Sequence, residues 1–155
     1  MKKWIRYLLI LAAIPMMSFG GFGGEDVGRL SPAQVVLLRQ RDQVMLRTDT
    51  KELGIGEDVE KAIRNMKDTS QHQIFLDTAD YLLIEPGAEM WIDQLQEYLR
   101  PSCNICYIVG EVEPEQAGQF LQRHEPMLTL TEYKAGNHRL PCLTVEKGRM
   151  QLEQS

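Results

Sequence analysis

Two of the chain's three cysteines stand as Cys103-x-x-Cys106 within "YLRPSCNICYIVGE", and the third, Cys142, lies far downstream. Such a pair can serve as a redox dithiol, as half of a metal site, or as a structural element. A thioredoxin-like dithiol sits where a strand ends and a helix begins, so that the helix N-terminus lowers the pKa of the first thiol and makes it nucleophilic. Here the order is the reverse: Pro101 stops a helix, and the pair runs into the apolar stretch "ICYIVG". No helix N-terminus is then expected at Cys103, and strand alternation is expected to misalign the two thiols for bridging. A zinc site needs four ligands, and only Cys142, His72, His124 and His138 remain, with no second paired spacing. The structural reading leaves open a disulfide among Cys103, Cys106 and Cys142, with one thiol left over in an odd count. Cys106, between Ile105 and Tyr107, is expected to be buried and Cys103 nearer the surface.

Other polar groups point to chemistry less sharply. "DTAD" sets Asp77 and Asp80 in a loop between apolar runs. Acid–base work needs both carboxylates in one cleft, whereas a turn in which Asp and Thr satisfy local backbone donors explains the same residues. Gly54-Ile55-Gly56 lacks the third glycine and the Lys-Ser/Thr of a phosphate loop, and reads as the turn leading into a helix. The three histidines sit on polar segments. No catalytic, cofactor-binding or metal-binding residue is assigned, and no cofactor is called for.

These groups are carried by 155 residues, 43% hydrophobic and 25% charged, a composition that supports one globular domain with a real core. The net charge of −5 and the lack of a basic stripe speak against nucleic acid as a partner. The N-terminus "MKKWIRYLLILAAIPMMSFGG" opens on Lys2, Lys3 and Arg6, runs apolar from Tyr7 to Met17, and then offers Ser18 and Gly20 to a signal peptidase. Residues 1–20 therefore read as a secretory signal, or in the alternative an uncleaved anchor, with a mature chain beginning near Gly21. No cysteine follows the apolar run, so no lipid anchor is expected there.

Residues 25–155 are then the globular domain. "AQVVLLRQ" and "QVMLRTDT", broken by Arg41-Asp42, predict a hairpin. Glu57 and Asp58 open a helix with Val59, Ala62, Ile63 and Met66 on one apolar face. Ile74–Leu76 and Tyr81–Ile84 read as short strands, and "AEMWIDQLQEYLR" as the best helix of the chain, ended by Pro101. "NICYIVGE" is a buried strand, and a further helix starts at Pro114 and stops before Pro126. The tail promises one weak helical turn and one or two late strands. Alternating strands and helices give an α/β (or α+β) class, a single mixed sheet with helices packed on it. Trp91, Leu95 and Leu99 are expected to pack on the strands at 74–76, 82–84 and 105–109.

The order "EDVGRLSPAQVVLL", "EDVEKAIRNM", a Phe-containing strand, a second apolar strand, and "EYLRPSCNICYIVGE" resembles the N-terminal domain of the spore germinant-receptor C-subunit lipoproteins (the Ger(x)C type) of endospore-forming bacteria. That family has a helix of the form T-x-x-E-A-L-x-N-L and a helix ending in "FLRDP" before its next strand, and "HRLPCLTVEKGRM" is similar to the segment that opens its following domain. The likeness runs over residues 25–125. Where the family carries its lipidated cysteine this chain has "FGGFGGED", and the two later domains are expected to be missing or reduced to a stub. The resemblance thus implies a truncated, non-lipidated relative without catalytic site, acting in spore germination or sporulation beside membrane-associated germinant-receptor-like subunits. The sequence reading is accordingly an exported, non-catalytic binding or scaffolding module on the outer face of the cytoplasmic membrane. The competing one is an extracytoplasmic thiol-disulfide protein using Cys103 and Cys106.

Overall fold

The computed structural model describes residues 30–136 and 139–154. The signal-like N-terminus, its cleavage site and His138 lie outside the described residues.

The hairpin is present. β2 (Val35–Gln40) and β3 (Val44–Thr48) pair antiparallel, with Leu38 opposite Leu46. β4 (Leu53–Gly56) pairs antiparallel with β3, so Gly54 and Gly56 are strand residues and not the turn that the sequence suggested. Their role is close approach. A Cβ on Gly54 would overlap the carbonyl of Ala62 and come within 2.8 Å of the Met66 Cβ, and one on Gly56 would lie 2.7 Å from the Lys61 Cβ. Helix α1 (Val59–Thr69) is laid directly on β4 through these two gaps. It starts where expected, with the Asp58 carboxylate accepting from the Lys61 N–H at 2.7 Å, and it buries Val59, Ala62, Ile63 and Met66.

β5 (Gln73–Phe75) leaves the main sheet and pairs in parallel with β1 (Leu30–Pro32) as a separate two-stranded unit. The following strands build the parallel centre. β6 (Tyr81–Ile84) lies between β2 and β7 (Asn104–Val109), and β8 (Cys142–Glu146) follows in parallel on the far side of β7. All four residues of β6 are buried, as befits a strand covered on both faces. β9 (Arg149–Glu153) returns antiparallel to β8 through Lys147 and Gly148, both at positive φ, as a two-residue hairpin loop requires. The sheet order is β4-β3-β2-β6-β7-β8-β9. The class is α/β: one large mixed sheet, joined by a small parallel pair, with helices packed on it.

The segment expected to be the longest helix is broken. It runs as a 3₁₀ turn (Glu89–Trp91), a single α turn α2 (Ile92–Leu95) and another 3₁₀ turn (Gln96–Tyr98). Its first residues are tied sideways to strands, Trp91 to Gln40 and Glu89 to Tyr107, and no side chain caps its start. Ile92, Leu95 and Leu99 nevertheless reach the core, while Met90 is exposed. α3 (Pro114–Leu121) has Pro114 in its first turn, as predicted. The weak turn in the tail is α4 (Leu130–Ala135), where Thr129 and Glu132 form a reciprocal capping box.

The two faces of the sheet are covered differently. Val36, Leu38, Leu46, Leu82, Ile84 and Ile105 form one core with α1, the α2 segment and the start of α4. Val35, Leu37, Leu83, Cys106, Ile108 and Leu143 form the other, where among the described residues α3 is the one covering helix. An ion pair from Arg47 on β3 to Glu113, 2.6 Å, holds the start of α3 to the sheet.

Candidate functional site

The cysteines flagged by spacing come to opposite sides of the sheet. Cys106 is the third residue of β7 and lies with Ala117 and Leu121 under α3. Cys103 precedes β7 by one residue and lies with Leu99, Leu128 and Leu130 in the other core. Three residues is an odd step along an extended chain, so alternation sends the two side chains apart. Cys103 is fully buried and not near the surface, a correction to the sequence expectation. The cover comes from downstream: the Leu130 N–H donates to the Cys103 carbonyl at 2.9 Å, drawing the start of α4 over the thiol. Burial pushes both thiols up to about 12, the nearby Arg100 opposing this at Cys103, and the neighbouring sulfur groups adding to it at Cys106. Such thiols are neutral at physiological pH and poor nucleophiles. Cys142 is half-buried at the start of β8, opposite Tyr107, and all three thiols are free.

Other sequence candidates are likewise dispersed. Thr78 donates from its hydroxyl to the carbonyls of Ala33 (3.0 Å) and Phe75 (2.9 Å), so the "DTAD" loop ties β1 and β5 to the body. Thr78 thus satisfies acceptors, where the sequence suggested donors. Asp80 pairs with Arg100, while Asp77 is exposed. His72 is exposed, and His124 stacks on Phe120 with ring centroids 4.3 Å apart. Among the described residues no group of three His, Cys, Asp or Glu is placed to hold a metal ion, and no helix is long and apolar enough to cross a membrane.

A polar cluster that the sequence did not announce lies at the carboxyl ends of β2, β6 and β7. The Tyr107 hydroxyl donates to Glu89 Oε1 at 2.7 Å, and the Gly87 N–H donates to Glu89 Oε2 at 2.8 Å. The Trp91 indole N–H donates to Gln40 Oε1 at 2.6 Å, and at the same end of the sheet but on its other face Arg39 Nε lies 3.2 Å from Glu85 Oε1. Burial draws the Glu89 carboxyl upward, but the bonds from Tyr107 and from backbone N–H groups outweigh it and leave the pKa lowered. Tyr107 is pushed up to about 12, first by burial and then by its bond to Glu89. An ionised acceptor facing a neutral phenol is a clamp. Neither group is tuned toward neutrality, where a general acid or base works best. The signal that could have found the cluster is parity, since Tyr107 shares a face with Ile105, and an acidic residue in the connection after a parallel strand lies at that end of the sheet.

A concavity of about 740 Å³ lies on the polar side of β8 and β9, lined by Thr144, Glu146, Lys147, Arg149, Gln151 and Glu153. No family model matches the chain, and no curated protein or solved structure matches it.

Proposed function

We propose that this protein is an exported, non-catalytic binding or scaffolding module on the outer face of the cytoplasmic membrane. It acts beside germinant-receptor-like membrane subunits in spore germination or sporulation. The observation that carries the non-catalytic part is the arrangement of thiols. The two members of the only closely spaced cysteine pair are sealed on opposite faces of the sheet, each with its pKa pushed up to about 12. The polar side chains at the carboxyl edge support the same reading, because Trp91 is bonded to Gln40 and Tyr107 to Glu89. Export rests on the basic-then-apolar N-terminus, and the partner class on the ordered likeness to the germinant-receptor C-subunits. The test is fractionation of native cells with mass spectrometry and affinity recovery of the full chain. A chain beginning near Gly21, recovered with germinant-receptor-type subunits, is the expected result. A cytoplasmic chain retaining Met1, or turnover of a disulfide substrate by the purified protein, would overturn it.

A further inference from the structure

Among the described residues, the outer edge of β9 is unpaired. β9 is the last strand of the sheet, and among the described residues nothing continues the ladder beyond it. Its connection to β8 is the two-residue loop Lys147-Gly148, closed by Glu146 and Arg149. In such a hairpin the closing pair exchanges both backbone bonds, and bonded and non-bonded pairs then alternate. Arg149, Gln151 and Glu153 therefore spend their backbone groups on β8, whereas Met150 and Leu152 aim N–H and C=O outward.

We propose that a second copy of this chain adds to this edge, β9 against β9 in antiparallel register, with the two-fold axis at Gln151. In that register Met150 faces the partner copy's Leu152, the two outward-aimed positions meet as bonded pairs, and all five residues of β9 are used. Side chains agree with the backbone. Arg149 comes opposite Glu153 of the other copy at both ends of the pair, placing opposite charges across the strands. These charged side chains share the polar face of the concavity described above, while Met150 and Leu152 share the face with Leu143 and Val145 that α3 partly covers. Moving the register by two residues in either direction abandons the Arg149–Glu153 match and leaves strand residues unpaired. A lone charged edge usually discourages edge pairing; here the charges are self-complementary in the one register that the backbone phase favours. An interface of this kind is isologous and closed, so it gives a dimer and not a fibre.

The experiment is sedimentation equilibrium of the full chain, in mild detergent if the N-terminus is retained, with charge reversals at exposed positions. The wild type is expected to dimerise. Arg149→Glu and Glu153→Arg should each weaken the dimer by more than about tenfold, since each sets like charges opposite at both ends. The double reversal should restore wild-type association. Gln151→Cys in a Cys142→Ser background should oxidise to a symmetric covalent dimer, because non-bonded antiparallel partners sit at disulfide distance. A monomeric wild type, single reversals without effect, or a double reversal as weak as the single ones would each overturn the assignment.

Discussion

The two layers of side chains against the seven-stranded sheet are unequal. Among the described residues, one gathers twenty-two buried residues from three helical segments, the small parallel pair and the loops between them. The other gathers nine, and a single eight-residue helix among the described elements covers it. The thick layer also carries the clamps, Glu89–Tyr107 and Trp91–Gln40, whereas α3 is held by the half-exposed Arg47–Glu113 pair. Stability is thus concentrated on one side, and local opening should be easier on the other. Truncation tests this most directly. Leu95→Ala, within the thick layer, should cost about 2–5 kcal/mol and fall toward the upper end, because neighbours on several segments cannot all close the cavity. Leu121→Ala, under α3, should cost about 2 kcal/mol, because one short helix can settle into the space. Urea unfolding of both variants gives the comparison. Equal costs would mean that the thin layer is as rigid as the thick one.

Glycines at the two helix contacts offer the next contrast. At Gly54 an added Cβ meets the backbone of α1, which cannot move without the whole helix. Gly54→Ala should destabilise by about 1–3 kcal/mol, the usual overpacking range. At Gly118 the added atom meets only the tip of Val35, 2.6 Å away. There the gain of up to about 1 kcal/mol from replacing glycine inside a helix offsets the crowding. Thermal melts should therefore separate the pair clearly, with Gly118→Ala within about 1 kcal/mol of wild type. A severe loss at Gly118 would show that α3 is seated as firmly as α1.

The clamp of the thick layer makes the third test. Tyr107→Phe should cost about 1.5–3 kcal/mol at neutral pH, as for a hydrogen bond to a charged group. The sign of its pH dependence follows from linkage. Glu89 has a lowered pKa in the folded chain, so its contribution is present above the ordinary carboxyl range and is lost as pH falls through the lowered value. Tyr107 is raised from 10.0 to about 12, so its contribution is present below 10 and is lost as pH rises toward 12. The gap between wild type and Tyr107→Phe should therefore narrow at both extremes. A gap that stays constant in acid would assign the effect to packing and not to the clamp.

Much of this asymmetry follows from features visible in the sequence. The period of Val59, Ala62, Ile63 and Met66 placed α1, and the paired apolar runs around Arg41-Asp42 placed the hairpin. What escaped were features set by tertiary partners. Gly54 and Gly56 read as punctuation because nothing local says that a helix will lie across a strand. The 88–100 segment has helical spacing at Trp91, Leu95 and Leu99, yet its first turn is claimed by Gln40 and Tyr107 on strands of the sheet. Cys103 reads as a surface turn residue because its cover arrives from Leu128 and Leu130, far along the chain. The opposed orientation of Cys103 and Cys106, by contrast, needs only the odd spacing and a strand.

That opposition supplies the smallest and most specific test, since it turns the two thiols into reporters for the two layers. Their pKa values are both pushed up to about 12, so intrinsic reactivity does not distinguish them. Cys142 is half-buried and should be alkylated first in the native protein at neutral pH. Cys103 and Cys106 should react only after an opening motion, because a neutral, enclosed thiol offers neither thiolate nor access. Cys106 waits on displacement of α3 alone, whereas Cys103 waits on the α2 segment and the start of α4 together. In dilute urea, below the global transition, Cys106 should then label before Cys103, by several-fold in rate if the layers differ as their packing indicates. Peptide mapping of alkylated sites over time reads this order. Simultaneous labelling would mean that both layers open only with the whole domain, and faster labelling of Cys103 would reverse the ranking of the two faces.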